Sequence, residues 1–554
     1  MSTLAPAQDY TAFYQQFQLS EIESQLSGRL ATGLNAYVEC CARHAEGSRA
    51  EQAALVHEDT AGQVTRYSYA ELDQLSGRIA NLLKSQGVQP GDRVAAMLSR
   101  TPELLGLILA TWRLGAVYQP LFTAFGYEAI DYRLTQAKTV LVVTDTVNRD
   151  KFAPISTLPR LVLIGSAEEA AHWGDAHFEG LLAEQSSECA PVILDAEQPF
   201  LQMFTSGTVG KSKGVAVPLK ALPAFYIYMR YAVDLQEGDL FWNMADPGWA
   251  YGLYYAITGP LLLGATTHFN EAGFTAENTL AFLQKHQITN LASAPTAYRM
   301  MKSSGVLDGQ ADTLALRVAS SAGEPLNTEV VNWVSQHLGC RVMDHYGQTE
   351  TGMTCCCHHA LTHATPVGSM GQPLPGYRLV ILDAEYQELG AGQTGQLAVD
   401  MEASPAFFFQ GYTWQEKKPF HDKYYLTGDV VELHADGTFW FAGRDDDIIT
   451  TAGYRVGPTD VENTVLEHPA VAESAAVGKP DALRGYVIKS YVVLKGDYEP
   501  SDELVKDIQQ LVRERLSAHA FPREIEFVDA LPKTPSGKIQ RFLLRKQAEE
   551  AVAS

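Results

Sequence analysis

From Ser68 to Tyr346, amphipathic stretches with the period of a helix alternate with short, wholly apolar runs. Ser68 and Glu71 have capping-box spacing, Leu72, Leu75, Ile79, Leu82 and Leu83 share one helical face, and Gly87 ends the element. After the Pro90-Gly91-Asp92 turn, residues 94–98 read as a strand, and a second helix runs from Pro102, where proline suits a first turn, to Gly115. Strands are expected at 140–144, 161–164, 288–293, 317–321 and 341–346, with helices at 276–286, 295–303 and 327–338. Strands apolar on both faces must be covered on both faces, so the pattern predicts mainly parallel sheets flanked by helices.

Beyond Gly371 the texture changes. Short runs at 378–382 and 396–399, and a hairpin of 430–433 with 438–441 across Asp436-Gly437, predict a small β-subdomain. After Gly443 the charged turn Arg444-Asp445-Asp446-Asp447 leads into mixed short helices and strands. The expected class is therefore α/β: a large N-terminal domain, residues 1–444, with its β-subdomain, and a small α+β C-terminal domain, residues 445–554.

A formal net charge of −23 argues against nucleic acid or an anionic membrane as partner. The longest apolar runs, near 104–121 and 253–269, are interrupted by Arg113 and by Gly259-Pro260 and read as buried core rather than membrane spans. Seven cysteines without framework spacing, and no secretory signal at the N-terminus, point to a reducing cytoplasm.

Residues 205–214, Thr-Ser-Gly-Thr-Val-Gly-Lys-Ser-Lys-Gly, follow an expected strand end and combine three glycines, four hydroxyls and two lysines. Backbone N–H groups, hydroxyls and ammonium charges converging in one loop suit polyphosphate. As a bare string it is also a Gly/Ser/Lys surface loop. It is not the loop of the P-loop NTPases, because only two residues separate Gly207 from Gly210-Lys211-Ser212 where that motif needs four.

Further strings occur in a fixed order: Ser321-Ala322-Gly323-Glu324-Pro325, Tyr346-Gly347-Gln348-Thr349-Glu350-Thr351-Gly352, Tyr425-Leu426-Thr427-Gly428-Asp429, Gly443-Arg444-Asp445-Asp446-Asp447, Gly453-Tyr454-Arg455 and Pro535-Ser536-Gly537-Lys538-Ile539. Together with the phosphate loop they resemble the adenylate-forming ligases, which include acyl-CoA synthetases, over most of the chain. The resemblance implies two half-reactions: a carboxylic acid and ATP give acyl-adenylate and pyrophosphate, then CoA displaces AMP. It implies ATP contacts at Thr205, Ser206, Gly207, Thr208, Gly210, Lys211 and Lys213. Gly323, Glu324, Pro325 and Tyr346 would enclose adenine, with Gln348 beside them. Thr349 would offer a hydroxyl to phosphate, and Glu350, a hard oxygen donor, would hold Mg²⁺. Asp429 and Arg444 would bind ribose. Lys538 would bridge the acid carboxylate and the α-phosphate. The C-terminal domain would swing about Asp446, after which Gly453, with Tyr454 and Arg455, would line the path of CoA.

Acetyl-CoA synthetases carry Trp where this chain has Gly347, so a medium-chain, branched or aromatic acid is expected rather than acetate. Trp249, Gly252 and Tyr255 are the other expected acyl-pocket residues. CoA is the expected acceptor because the chain holds no carrier-protein segment. Loading of a separate carrier protein, or an inactive nucleotide sensor on the same fold, are the alternatives. The run Cys355-Cys356-Cys357-His358-His359 has the wrong spacing for structural zinc.

Overall fold

Short buried strands assemble into two mainly parallel sheets. The computed structural model describes residues 8–205, 212–414, 419–445, 447–451, 454–481, 485–516, 520–533 and 538–553. One sheet has seven strands in the order Lys213–Pro218, Pro199–Thr205, Val117–Pro120, Arg93–Met97, Leu141–Asp145, Arg160–Ile164 and Ala176–His177. Its pairings are parallel except the first, a hairpin in which Lys213 lies opposite Thr205. The second sheet has nine strands: Gln372–Pro373, Gly352–Cys356, Arg341–Gln348, Val318–Ala322, Asn290–Ser293, Leu240–Asn243, Thr266–Asn270, Ala53–Glu58 and Val64–Ser68. It is parallel from Arg341–Gln348 to Ala53–Glu58 and antiparallel at both ends.

The helix signals act as the spacing predicts. Glu71 N–H donates to Ser68 Oγ at 3.2 Å while Ser68 N–H donates to Glu71 Oε2 at 2.8 Å, the reciprocal capping box of helix Tyr69–Ser85. Pro102 opens helix Pro102–Arg113 behind a Thr101 cap, and eleven of that helix's residues are buried between sheet and neighbours. The run 253–269 is core: it passes through a π-helical turn, Leu253–Thr258, and helix Gly259–Leu262 before becoming strand Thr266–Asn270. Among the described residues no helix is long and apolar enough to cross a membrane.

An antiparallel sheet of Leu379–Leu382, Gln393–Asp400, Tyr424–Leu433, Phe420–His421 and Phe439–Arg444 forms the β-subdomain. A last sheet, Tyr454–Val456, Ile449–Thr451, Gly485–Leu494, Val471–Asp481 and Glu524–Phe527, packs with helices Pro458–Leu466, Asp502–Arg515 and Arg541–Ala553. Two apolar clusters draw only on residues from Ile449 onward, while the largest one ends at Phe439.

Candidate active site

Strands Tyr424–Leu433 and Phe439–Arg444 pair antiparallel with Asp429 opposite Arg444, and this register brings a carboxylate and a guanidinium together. Arg444 Nη1 donates to Asp429 Oδ1 at 3.0 Å. The other oxygen accepts from the Tyr346 hydroxyl and from Gln348 Nε2 at 2.8 Å. Tyr425 in turn donates to Gln348 Oε1 at 2.8 Å, fixing the amide's orientation. Asp429 is 3% exposed; burial raises its pKa, against Arg444, Tyr346 and Gln348, which stabilise the anion. Three sequence strings thus meet at one carboxylate. Gly428, at φ +74°, makes the turn, and a Cβ there would lie 3.0 Å from the Arg444 guanidinium.

Gly323 sits just past the end of strand Val318–Ala322 at φ +106°, with open space where a Cβ would be, so backbone is exposed for a flat ligand to approach. The Glu324 carboxylate is already engaged. It accepts from Thr296 N–H at 2.9 Å at the start of helix Pro295–Ser304 and from Arg299 Nη2 at 2.8 Å. Glu350 is 7% exposed and accepts from the Tyr412 hydroxyl at 2.7 Å; the Lys213 ammonium lies 4.6 Å from the Tyr412 ring centroid. Burial raises the Glu350 pKa, with Tyr412 and then Lys213 pulling the other way. The neighbouring Thr349 carbonyl accepts from Tyr254 at 2.9 Å.

Lys538 precedes Ile539, which bridges to Lys533, and keeps solvent access. The surrounding protein atoms pull its pKa below the ordinary lysine value, Glu324, Asp429 and Glu350 favour its charge, and Arg444 opposes it. Carboxylates from three of the sequence strings thus act on the Lys538 charge. Thr205 and Lys213 are placed at the paired ends of their hairpin. Ser206, Gly207, Thr208, Gly210, Lys211, Asp446 and Gly453 lie outside the described residues, and Tyr454 and Arg455 are described only as members of a strand.

The expected acyl-side residues divide into separate neighbourhoods. Tyr255 accepts from Met353 N–H at 2.9 Å and lies against Phe225 and Tyr228. Trp249 packs instead on Phe122 and Phe125, with ring centroids 5.2 and 5.6 Å away. A Cβ at Gly252 would lie 2.1 Å from the Asp246 carbonyl oxygen, so glycine there serves close backbone packing. Gly347 needs a correction to the expectation that its missing side chain leaves pocket space. The ladder with Gly352–Cys356 shifts register between Tyr346 and Gly347, and a Cβ at 347 would meet Gly352 O at 2.2 Å and Met353 Cα at 2.6 Å. In this backbone the volume is already filled by the facing strand. Cys355, Cys356 and Cys357 are buried, burial pushes the Cys357 thiol up to about 12 and raises the other two well above the ordinary thiol value, and no metal-ligating cluster occurs among the described residues.

Residues 41–412 match the family described as AMP-binding enzyme, and residues 460–538 match the AMP-binding enzyme C-terminal domain. This chain belongs to the AMP-binding enzymes. It is an AMP-forming acid–thiol ligase of the acyl-CoA synthetase type, with ATP and CoA as substrates. It is 36% identical to an acetyl-coenzyme A synthetase of Bacillus subtilis, over 97% of this chain and 94% of the relative. A Brucella canis acyl-CoA synthetase structure superposes with a TM-score of 0.79 at 46% identity, covering 98% of this chain and 100% of the other. The anthranilate CoA ligase AuaEII, solved with anthranoyl-AMP, gives a TM-score of 0.85 at 26% identity over 97% of this chain and 100% of that one.

The sequence strings of this AMP-binding enzyme left out the residues that hold its site residues in place. Tyr412, which orients Glu350, is 62 positions away in sequence, and Arg299, which pairs with Glu324, is 25 away. Neither sits in a turn or glycine-rich context that marks it. Tyr425 lies within one of the strings, yet its bond to Gln348 is made only by the three-dimensional register.

Proposed function

We propose that this enzyme activates a medium-chain, branched or aromatic carboxylic acid, with the residues of the Asp429 cluster, Glu350 and Lys538 in the roles their placement suits. Asp429, with two acceptor oxygens and Arg444 beside it, binds the ribose hydroxyls; Tyr346 and the exposed backbone at Gly323 flank adenine. The hairpin ends at Thr205 and Lys213 deliver the phosphate loop. Lys538 neutralises the acid carboxylate and the α-phosphate as a carboxylate oxygen bonds to phosphorus and the bond to pyrophosphate breaks. In the second half-reaction the CoA sulfur bonds to the acyl carbon, AMP leaves with the anhydride oxygen, and the thiol proton passes to solvent. The observation that carries this reading is the meeting of Tyr346, Gln348 and Arg444 at the buried Asp429 carboxylate.

Glu350, one buried carboxylate beside a lysine, suits Mg²⁺, which takes most of its oxygens from phosphate and water. The ion would supply positive charge against the polyphosphate. Residues 1–444 form the adenylating unit and 445–554 a unit that turns about Asp446 to admit CoA.

The acid class rests on the likeness to the anthranilate CoA ligase, since the facing strand fills the space beside Gly347. Acetate is the competing reading, favoured by the similarity to the Bacillus subtilis enzyme. ATP–pyrophosphate exchange across acetate, butyrate, hexanoate, isobutyrate and benzoate decides it: higher kcat/KM for the larger acids is expected, and a preference for acetate overturns the class. Exchange with none of these acids, under conditions where ATP binds, would favour the nucleotide sensor. Acyl transfer to a carrier protein but not to CoA would displace the CoA assignment.

A further inference from the structure

Resting on the reading of residues 205–214 as the phosphate loop, we propose that Arg133 is a positioning residue for ATP, holding the loop's exit through Ser212 and taking the polyphosphate as its counter-charge. Arg133 lies on helix Tyr127–Ala137 and is 8% exposed. Its Nη2 donates to Ser212 Oγ at 3.0 Å, Nη1 donates to the Ala129 carbonyl at 2.9 Å, and the preceding Tyr132 hydroxyl donates to the Ser212 carbonyl at 2.8 Å. Adjacent residues of one helix therefore grip both the side chain and the backbone of a single loop residue.

The guanidinium lies against two rings, 4.1 Å from the Phe125 centroid and 5.4 Å from that of Phe204, the residue just before Thr205. Phe204 also stacks against Trp414, at 5.6 Å and 24° between planes. Among the described residues no carboxylate pairs with Arg133, whereas Arg113, Arg149, Arg317 and Arg378 each have one. A guanidinium does not deprotonate at working pH, and a buried cation without an anion is costly. Ring faces offset only part of that cost. Burial pulls the Arg133 pKa down to about 10, as expected where no anion stands near. A polyphosphate bound by the loop that Ser212 ends supplies negative charge, in a setting of low dielectric where it acts over several ångströms.

The test uses the full-length enzyme with Arg133→Gln, Arg133→Lys and Ser212→Ala. In Arg133→Gln the KM for ATP should rise about 10–100-fold, the range for losing a charge-assisted bond, while the KM for the acid stays within about twofold. Arg133→Lys, which keeps the charge, should recover much of the loss, and Ser212→Ala should raise the ATP KM by about 3–10-fold. Thermal stabilisation by ATP should be weakened in Arg133→Gln and stabilisation by AMP retained. Equal rises in both KM values, or equal loss of ATP and AMP stabilisation, would mean a merely structural arginine and overturn the proposal. If Arg133→Gln does not fold, the ATP-against-acid split in Ser212→Ala decides alone. A wild-type enzyme that ATP does not stabilise would instead sink the phosphate-loop reading itself.

Discussion

Replacing Asp429 by Asn separates charge from shape at the point where the nucleotide-side strings meet. The carboxylate is 3% exposed and receives bonds from Tyr346, Gln348 and Arg444. Asparagine keeps one acceptor oxygen of similar reach but turns an NH₂ toward a neighbour that is itself a donor. One charge-assisted bond is worth about 1.5–3 kcal/mol. The Arg444 side chain is 35% exposed, so water takes over part of what it loses. A stability loss of about 1–2 kcal/mol is therefore expected for Asp429→Asn. Asp429→Ala leaves all three donors without their acceptor and should cost more, about 3–5 kcal/mol. For the ligand the consequence is selective. AMP carries the ribose hydroxyls and should bind about 10–100-fold more weakly to Asp429→Asn, while pyrophosphate, which has no sugar, keeps its affinity within about twofold. Calorimetric titration of both ligands, alongside denaturant unfolding, measures each part. Unchanged AMP affinity, or equal weakening of AMP and pyrophosphate, would refute the assignment of Asp429 to ribose.

Lys538→Ala should slow acyl-adenylate formation by at least about 10²–10³ while a supplied acyl-adenylate is still converted to acyl-CoA; assaying the half-reactions separately checks this, and equal losses in both would exclude a lysine that acts in one step only. Glu350→Gln should raise the Mg²⁺ concentration needed for ATP–pyrophosphate exchange and leave the unfolding temperature close to wild type; a large fall in unfolding temperature would identify a structural carboxylate. Burial raises the Asp344 pKa from 3.8 to about 8. The folded state thus holds this proton more tightly than the unfolded one, so the stability the group permits is complete below pH 3.8 and is lost as pH rises toward about 8, by at most about 1.4 kcal/mol per pH unit. Asp344→Asn should accordingly flatten the dependence of unfolding free energy on pH across that window, and a slope identical to wild type would rule out Asp344 as its source.

The elements that were legible in sequence were those with local punctuation. The capping box at Ser68, the proline at 102 and the Asp436-Gly437 turn each act through neighbours a few positions away. The strands Leu240–Asn243 and Thr266–Asn270 were missed because each is short and polar residues, Asn243 in the one and Thr266, Thr267, His268 and Asn270 in the other, break up any apolar run. In the site, the nucleotide-side residues could be named from their strings, but the geometry around Gly347 could not. Whether a missing side chain leaves a space or admits a facing strand depends on the bulge between Tyr346 and Gly347, which is set by the pairing with Gly352–Cys356. Arg133 and Tyr412 were invisible for a similar reason, since each works across a distance in sequence that only the fold closes.

The hairpin that begins and ends at Thr205 and Lys213 has a consequence for how a nucleotide could be captured quickly. A free segment of this length would have to bring its two ends together when the ligand arrived, and that loss of chain entropy would weaken binding. Here the ends are joined by the ladder of a buried sheet, with Phe204 and Gly214 paired one step further in. The ring closure is completed during folding of the protein, so its entropic cost does not fall on ligand binding.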